Sequence, residues 1–147
     1  EMSDDCTLAD VKTFASNLSS WAHIATVGAD DEPDVVPVHP CWDGETLWTM
    51  VGTTSAKVRN LAHNPKLAIH WQVTENGDGV EVWGTGEVFA DVETKRRLWN
   101  GVFDYDLNAF APGGPDNSPD TAFLAITPTR ALILKQYGMG GMQRWNA

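Results

Sequence analysis

The stretch with the clearest chemical capacity is Met50-Val-Gly-Thr-Thr-Ser-Ala-Lys-Val-Arg59. A strand here is predicted to run through a Gly-Thr-Thr-Ser turn into a helix carrying Lys57 and Arg59. The first N–H groups of a helix have no carbonyl partner within it, so hydroxyls and an ammonium beside them complete an anion pocket. Thr53, Ser55 and Lys57 supply those groups, and the turn can hold a phosphate. The same residues also describe a plain helix cap followed by solvated cations, since Ser is a common N-cap. Four histidines (His23, His39, His63, His70) and two cysteines (Cys6, Cys41) are the other candidates. None has the spacing of a zinc motif, so no metal site is expected. Cys41 has no evident base or cationic partner in the sequence, and neither a Ser/His/Asp arrangement nor a Gly-x-Ser-x-Gly elbow stands out.

The 147 residues carry a formal net charge of −10. Nucleic-acid surfaces need clustered Lys and Arg, so a broad one is excluded and any anion site must be local. No apolar run approaches the ~20 residues of a membrane span, and the first residues lack the basic and apolar regions of a secretion signal. A cytoplasmic protein without a disulfide is expected.

The elements that must position the turn follow from periodicity and breakers. Leu8, Val11, Phe14, Ala15 and Leu18 recur at helical spacing after a capping Thr7, with Asp10 three residues on. His23–Gly28 and Val35–His39 read as strands around an Asp- and Pro-rich turn, and Pro37 and Pro40 place the second at an edge, at a bulge or open to a ligand. Thr46–Val51 is a third strand. Ser55 to Asn64 is a short helix, stopped by Pro65. Lys66–Val73 and Val80–Phe89 form a hairpin around Asn76-Gly77-Asp78-Gly79, with Gly84 and Gly86 marking a bend. Val92–Phe103 reads as a long helix with Lys95, Arg96 and Arg97 on its wet side. Asp104–Asp120 is a loop too long to be idle. Ala122–Thr127 and Ala131–Tyr137 read as a closing hairpin around Pro128-Thr129, followed by a glycine-rich tail from Gly138 to Ala147. Short strands with helices inserted between hairpins point to one mainly β domain over residues 1–147, an antiparallel barrel of six or seven strands with accessory helices, its first six residues flexible. Gly84-Thr85-Gly86 is then a strand bend and no dinucleotide fingerprint.

The order of Val35-Val-Pro-Val-His-Pro40, Trp42-Asp-Gly44, Leu47-Trp-Thr-Met50, Ser55-x-Lys57, Arg59-Asn-Leu61 and Asn64-Pro65 resembles the FMN-binding split β-barrel family of pyridoxamine 5′-phosphate oxidase-like proteins. Val82-Trp-Gly-Thr-Gly-Glu-Val88, Leu98-Trp99, Phe110-Ala-Pro-Gly-Gly-Pro-Asp116 and Leu124-Ala-Ile-Thr-Pro128 are similar to its general stress protein branch. The resemblance implies a Greek-key-like split barrel and a homodimer with flavin at the subunit interface. It assigns the FMN phosphate to Ser55 and Lys57 with Arg59 as a second cation, and the ribityl chain to Met50 and Val51. The ring edge falls to the backbone of Val35, Pro37, Val38 and His39, with Trp71 and Gln72 in the surroundings. Val35 and Pro40 stand where the true oxidases have an arginine and a lysine, so the implied activity is a flavin-dependent oxidoreductase other than vitamin B6 oxidation, on an unidentified small molecule. A reductase using the deazaflavin F420 on the same fold and a non-catalytic flavin or haem binder are the alternatives.

Overall fold

A computed structural model describes residues 4–71 and 73–147. In chain order the elements are β1 (Asp4–Asp5), α1 (Leu8–Leu18), β2 (Ala22–Val27), β3 (Pro33–Val38), β4 (Cys41–Asp43), β5 (Thr46–Gly52), α2 (Ala56–His63), β6 (Lys66–Trp71), β7 (Gly79–Phe89), α3 (Val92–Leu98), β8 (Thr121–Lys135) and β9 (Gly141–Asn146). All strands join one sheet, antiparallel except for the short β1–β9 pair. The path runs β1-β9-β8-β7-β6-β2-β3, with β5 and then β4 branching from β8, and the sheet is not closed. The mainly β, antiparallel expectation holds, and β3 is the edge strand its prolines required.

The closing hairpin does not form. Residues 121–135 are one continuous strand that passes through Pro128. The reason lies across the ladder, where Trp83 pairs with Arg130 but Gly84 pairs with Pro128, leaving Thr129 as an extra residue in a bulge. A bulge is where a sheet tolerates a residue without an N–H. The Thr129 hydroxyl donates to the Trp83 carbonyl at 3.2 Å, and the Thr129 carbonyl accepts from Ala147 at 3.0 Å. The glycine-rich tail also differs from expectation: Gly141–Asn146 pairs with Arg130–Lys135 as β9. Of the first six residues, 1–3 lie outside the described residues, while Asp4 and Asp5 pair with Gln143 and Arg144.

Two cores lie on the two faces of β5 and β8. Leu47, Val51, Ala122, Leu124 and Ile126 point into the main core with Val11, Ile24, Ile69 and Val82. Trp48 and Phe123, one step out of phase, point the other way and join Leu98 and Leu107, with Met50, Phe103 and Tyr105 packed against them. That second core fixes the segment after β7. The helix there ends at Leu98, short of the expected Phe103, because Gly101 sits at φ 95°, a geometry that cannot continue a helix. Lys95, expected on the wet side, is buried.

The Gly84 contact generates a stability prediction. A Cβ there would lie 2.4 Å from the Thr127 carbonyl oxygen, which is backbone. Gly84→Ala is expected to lower unfolding free energy by about 1–3 kcal/mol, read from urea melts, because the bulge must shift to relieve the clash. An unchanged midpoint would contradict this account of the bulge.

Candidate functional site

β3, β5, α2 and the 104–120 loop converge on a cleft of about 320 Å³. Pro37, Val38 and His39 form one wall, and Thr49 and Met50 the floor. Lys57 reaches in from α2, while Trp21, Tyr105 and Phe110 supply an aromatic rim. Met50 is available because β5 alternates: Leu47 and Val51 go to the main core, and Met50 faces the second.

The α2 turn is held by its own backbone. Thr53 N–H donates to Asp120 at 3.0 Å and Ser55 N–H to Gly52 at 3.1 Å. Asn60 Nδ2 donates to Thr26 Oγ1 at 3.0 Å, fixing α2 to β2. Within this frame Ser55 is the N-cap, yet it makes no side-chain cap hydrogen bond, contrary to the capping role read from its position. Its Oγ is buried and has no partner among the described residues. At the start of α1, by comparison, Thr7 and Asp10 exchange both bonds of a capping box, at 3.1 and 2.9 Å. A buried hydroxyl without a partner costs about 1–3 kcal/mol, and an anion oxygen at this turn would satisfy it. Ser55 Oγ, the first N–H groups of α2 and the Lys57 ammonium therefore form a donor set suited to a phosphate.

The remaining sequence-predicted residues are spread more widely. Arg59 is exposed and donates through Nη1 to the Thr54 carbonyl, so it clamps the turn and does not line the cleft. Val51 is buried in the main core and does not line the cleft. Val35 is exposed on β3. Trp71 is buried, lies parallel to Trp42 with ring centroids 6.3 Å apart, and lines a second cleft of about 300 Å³. Gln72 lies outside the described residues.

Trp21, Thr49, Tyr105 and Phe110 were not legible as site residues. The positions of Tyr105 and Phe110 depend on how the 104–120 loop is tied down. Buried Lys95 donates to the Ser118 carbonyl at 2.9 Å, Arg96 grips Asp116 at 2.8 and 3.1 Å, and Trp99 Nε1 donates to Asn108 Oδ1 at 3.1 Å. Tyr105 then packs edge-on to Phe110 at 5.7 Å and lies 4.3 Å from the His39 ring. Burial pushes the Tyr105 hydroxyl up to about 12, with Cys41 and Asp104 adding to it, so the rim stays neutral. The sequence signal was an aromatic-bearing loop of unusual length. His39 Nε2 lies 2.9 Å from Asp104 Oδ1, out of line for a hydrogen bond.

A family model described as "Pyridoxamine 5'-phosphate oxidase" matches residues 11–135. No curated protein matches the chain. Among solved structures, a Clostridium acetobutylicum protein related to general stress protein 26 of B. subtilis shares 20% identity at a TM-score of 0.76, covering 95% of this chain and 93% of its own. A pyridoxamine 5′-phosphate oxidase-related, FMN binding protein from Nostoc punctiforme shares 18% identity at a TM-score of 0.68, covering 94% and 87%. An F420 reductase shares 25% identity at a TM-score of 0.58, covering 79% and 94%. At below 25% identity the first two show the fold.

The contrast between the two caps is testable in the protein alone. Thr7→Ala should cost about 1 kcal/mol of stability, the usual value for a bonded cap, whereas Ser55→Ala, which removes a buried hydroxyl without a partner, should raise it by up to about 1–3 kcal/mol. Chemical denaturation of both variants measures this, and an equal loss would mean that Ser55 is a structural cap.

Proposed function

The chain belongs to the pyridoxamine 5′-phosphate oxidase family, and from that premise we propose that it binds FMN in the cleft beside α2 and acts as a flavin-dependent oxidoreductase. One observation carries the reading: a buried Ser55 hydroxyl, without a partner among the described residues, stands at the start of the helix whose Lys57 lines an aromatic-rimmed cleft. In this reading Ser55, Lys57 and the first N–H groups of α2 hold the phosphate. Met50 and Thr49 pack beside the ribityl chain, and the Pro37–His39 backbone borders the ring. Bound FMN supplies hydride or electron transfer. The protein contributes binding, orientation and exclusion of water by Trp21, Tyr105 and Phe110, and no side-chain base is assigned.

Trp21, Val35 and Phe110 are large apolar side chains exposed at 59%, 62% and 70%. Two of them rim the cleft, and the third lies on the strand that forms its wall. Exposed apolar groups gathered around one opening mark an interaction surface, which supports a homodimer whose second copy covers the flavin. The 25% identity with the F420 reductase favours a deazaflavin as the second reading. Lys57 is the one cation lining the cleft among the described residues, which is sparse for the acidic tail of that coenzyme.

Titration of the flavin-free chain with FMN, followed by flavin fluorescence, tests the assignment. Lys57→Ala is expected to weaken binding by about 1.5–3 kcal/mol, roughly 10- to 150-fold, as loss of a charge-assisted bond requires. Absence of saturable FMN binding to the native chain would overturn it, and binding of F420 in its place would establish the second reading. Sedimentation of the native chain should give twice the mass of one chain, and a monomer would contradict the homodimer.

A further inference from the structure

His39 and Cys41 leave the end of β3 and the start of β4 with only Pro40 between them, and Asp104 meets them from the loop that follows α3. His39 Nε2 lies 2.9 Å from Asp104 Oδ1, and Cys41 Sγ is 3.4 Å from the same oxygen. The three donor atoms lie within 4.8 Å of one another. A tetrahedral zinc about 2.0–2.3 Å from its ligands holds their donor atoms roughly 3.3–3.8 Å apart, so closing on a cation needs the widest pair to draw in by up to about 1–1.5 Å and the His39–Asp104 pair to open slightly. One further observation points the same way. Among the described residues His39 Nε2 is buried without a hydrogen-bond partner, although Asp104 Oδ1 lies within contact distance, so its bonding capacity is unused. The Cys41 thiol donates to the same Asp104 oxygen, so that carboxylate already draws the sulfur to the cluster in the metal-free chain.

We infer that His39 Nε2, Cys41 Sγ and Asp104 Oδ1 form a site for a divalent cation of the zinc class, with three protein ligands and a fourth position for water or a small anionic ligand. The mixture of nitrogen, sulfur and oxygen donors selects a borderline-soft cation over magnesium or calcium, which take oxygen. The rigid His-Pro-Cys link presets two ligands before the cation arrives, and the side chain of Asp104, 64% exposed, closes on it from the solvent side. The cluster forms the wall between the two clefts: His39 lines the first, while Cys41 and Asp104 line the second together with Trp42 and Trp71. Binding replaces the Cys41 S–H bond by a sulfur–metal bond and releases the proton to solvent, with no change of oxidation state. This site stands independently of the flavin reading.

Cobalt(II) is the probe. The full chain, freed of metal by a chelator and without flavin, is titrated with cobalt and then with competing zinc. The expected result is one cobalt per chain, with a thiolate-to-cobalt charge-transfer band in the near ultraviolet that zinc abolishes. Cys41→Ser should remove the band, and Asp104→Asn should weaken binding. Loss of an outer-shell partner already costs about 10- to 100-fold in metal affinity, so loss of a ligand should reach at least about 100-fold. Cys6→Ser should leave the spectrum unchanged. Absence of saturable cobalt binding, or binding with affinity and spectrum unchanged in Cys41→Ser, overturns the site. Should Cys41→Ser fail to fold, exposed Asp104→Asn decides alone, and unchanged affinity there overturns it as well.

Discussion

β8 has to satisfy three strands and two cores at once. Along one edge its first half pairs with β5 and its second half with β9, while β7 runs along the other edge for its full length. A buried strand must have its backbone groups bonded on both edges, so the forked pairing and the bulge at Thr129 are linked. The bulge lets one chain segment pass through Pro128 without leaving an orphaned carbonyl and carry on to meet β9. Because side chains alternate, the same strand feeds Leu124 and Ile126 to one core and Phe123 to the other. The second core anchors Leu98, Leu107 and the aromatic loop above β5, and the cleft exists where that loop overhangs Met50 and the end of β3.

Within the cleft the electrostatics are local. The chain as a whole is strongly acidic, so long-range attraction of a phosphate is not what places one there. Fields from exposed charges are screened beyond about 8 Å in physiological salt, and short donor contacts dominate inside that distance. Ser55, Lys57 and the start of α2 offer such contacts, held in place by the Asn60–Thr26 and Thr53–Asp120 bonds. The unbonded state of Ser55 Oγ separates this helix start from that of α1, where Thr7 and Asp10 consume each other's hydrogen-bonding capacity. One helix is capped by its own sequence, and the other leaves its cap free for an outside oxygen.

Local signals carried much of this in the sequence. Thr7 with Asp10, the Pro-bearing edge strand, Asn64-Pro65 and the Gly84 bend all act over a few residues, and each appears where its chemistry put it. Lys57 and Met50 likewise follow from the turn and from strand alternation. Misreadings arose where distant partners decide. Pro128-Thr129 looks like a turn until Gly84 is set opposite it, and Lys95 looks solvated until the Ser118 carbonyl comes to meet it. Val51 and Trp71 are assigned to the site by position in a motif, yet their side chains are claimed by packing. Tyr105 and Phe110 could not be placed, because nothing near them in sequence says that their loop folds back over β5. Cys41 shows no partner in the sequence for the same reason, since Asp104, to which its thiol donates, lies 63 residues away in the chain.

The central claim is that the α2 turn recognises a phosphate. Comparing FMN with riboflavin tests this most directly, because the two share the ring and the ribityl chain and differ only in that group. If Ser55 and Lys57 bind it, FMN should bind the native chain more tightly than riboflavin by roughly 10- to 150-fold, the value of one or more charge-assisted hydrogen bonds. Equal affinities for the two would contradict the account and move recognition to the aromatic rim.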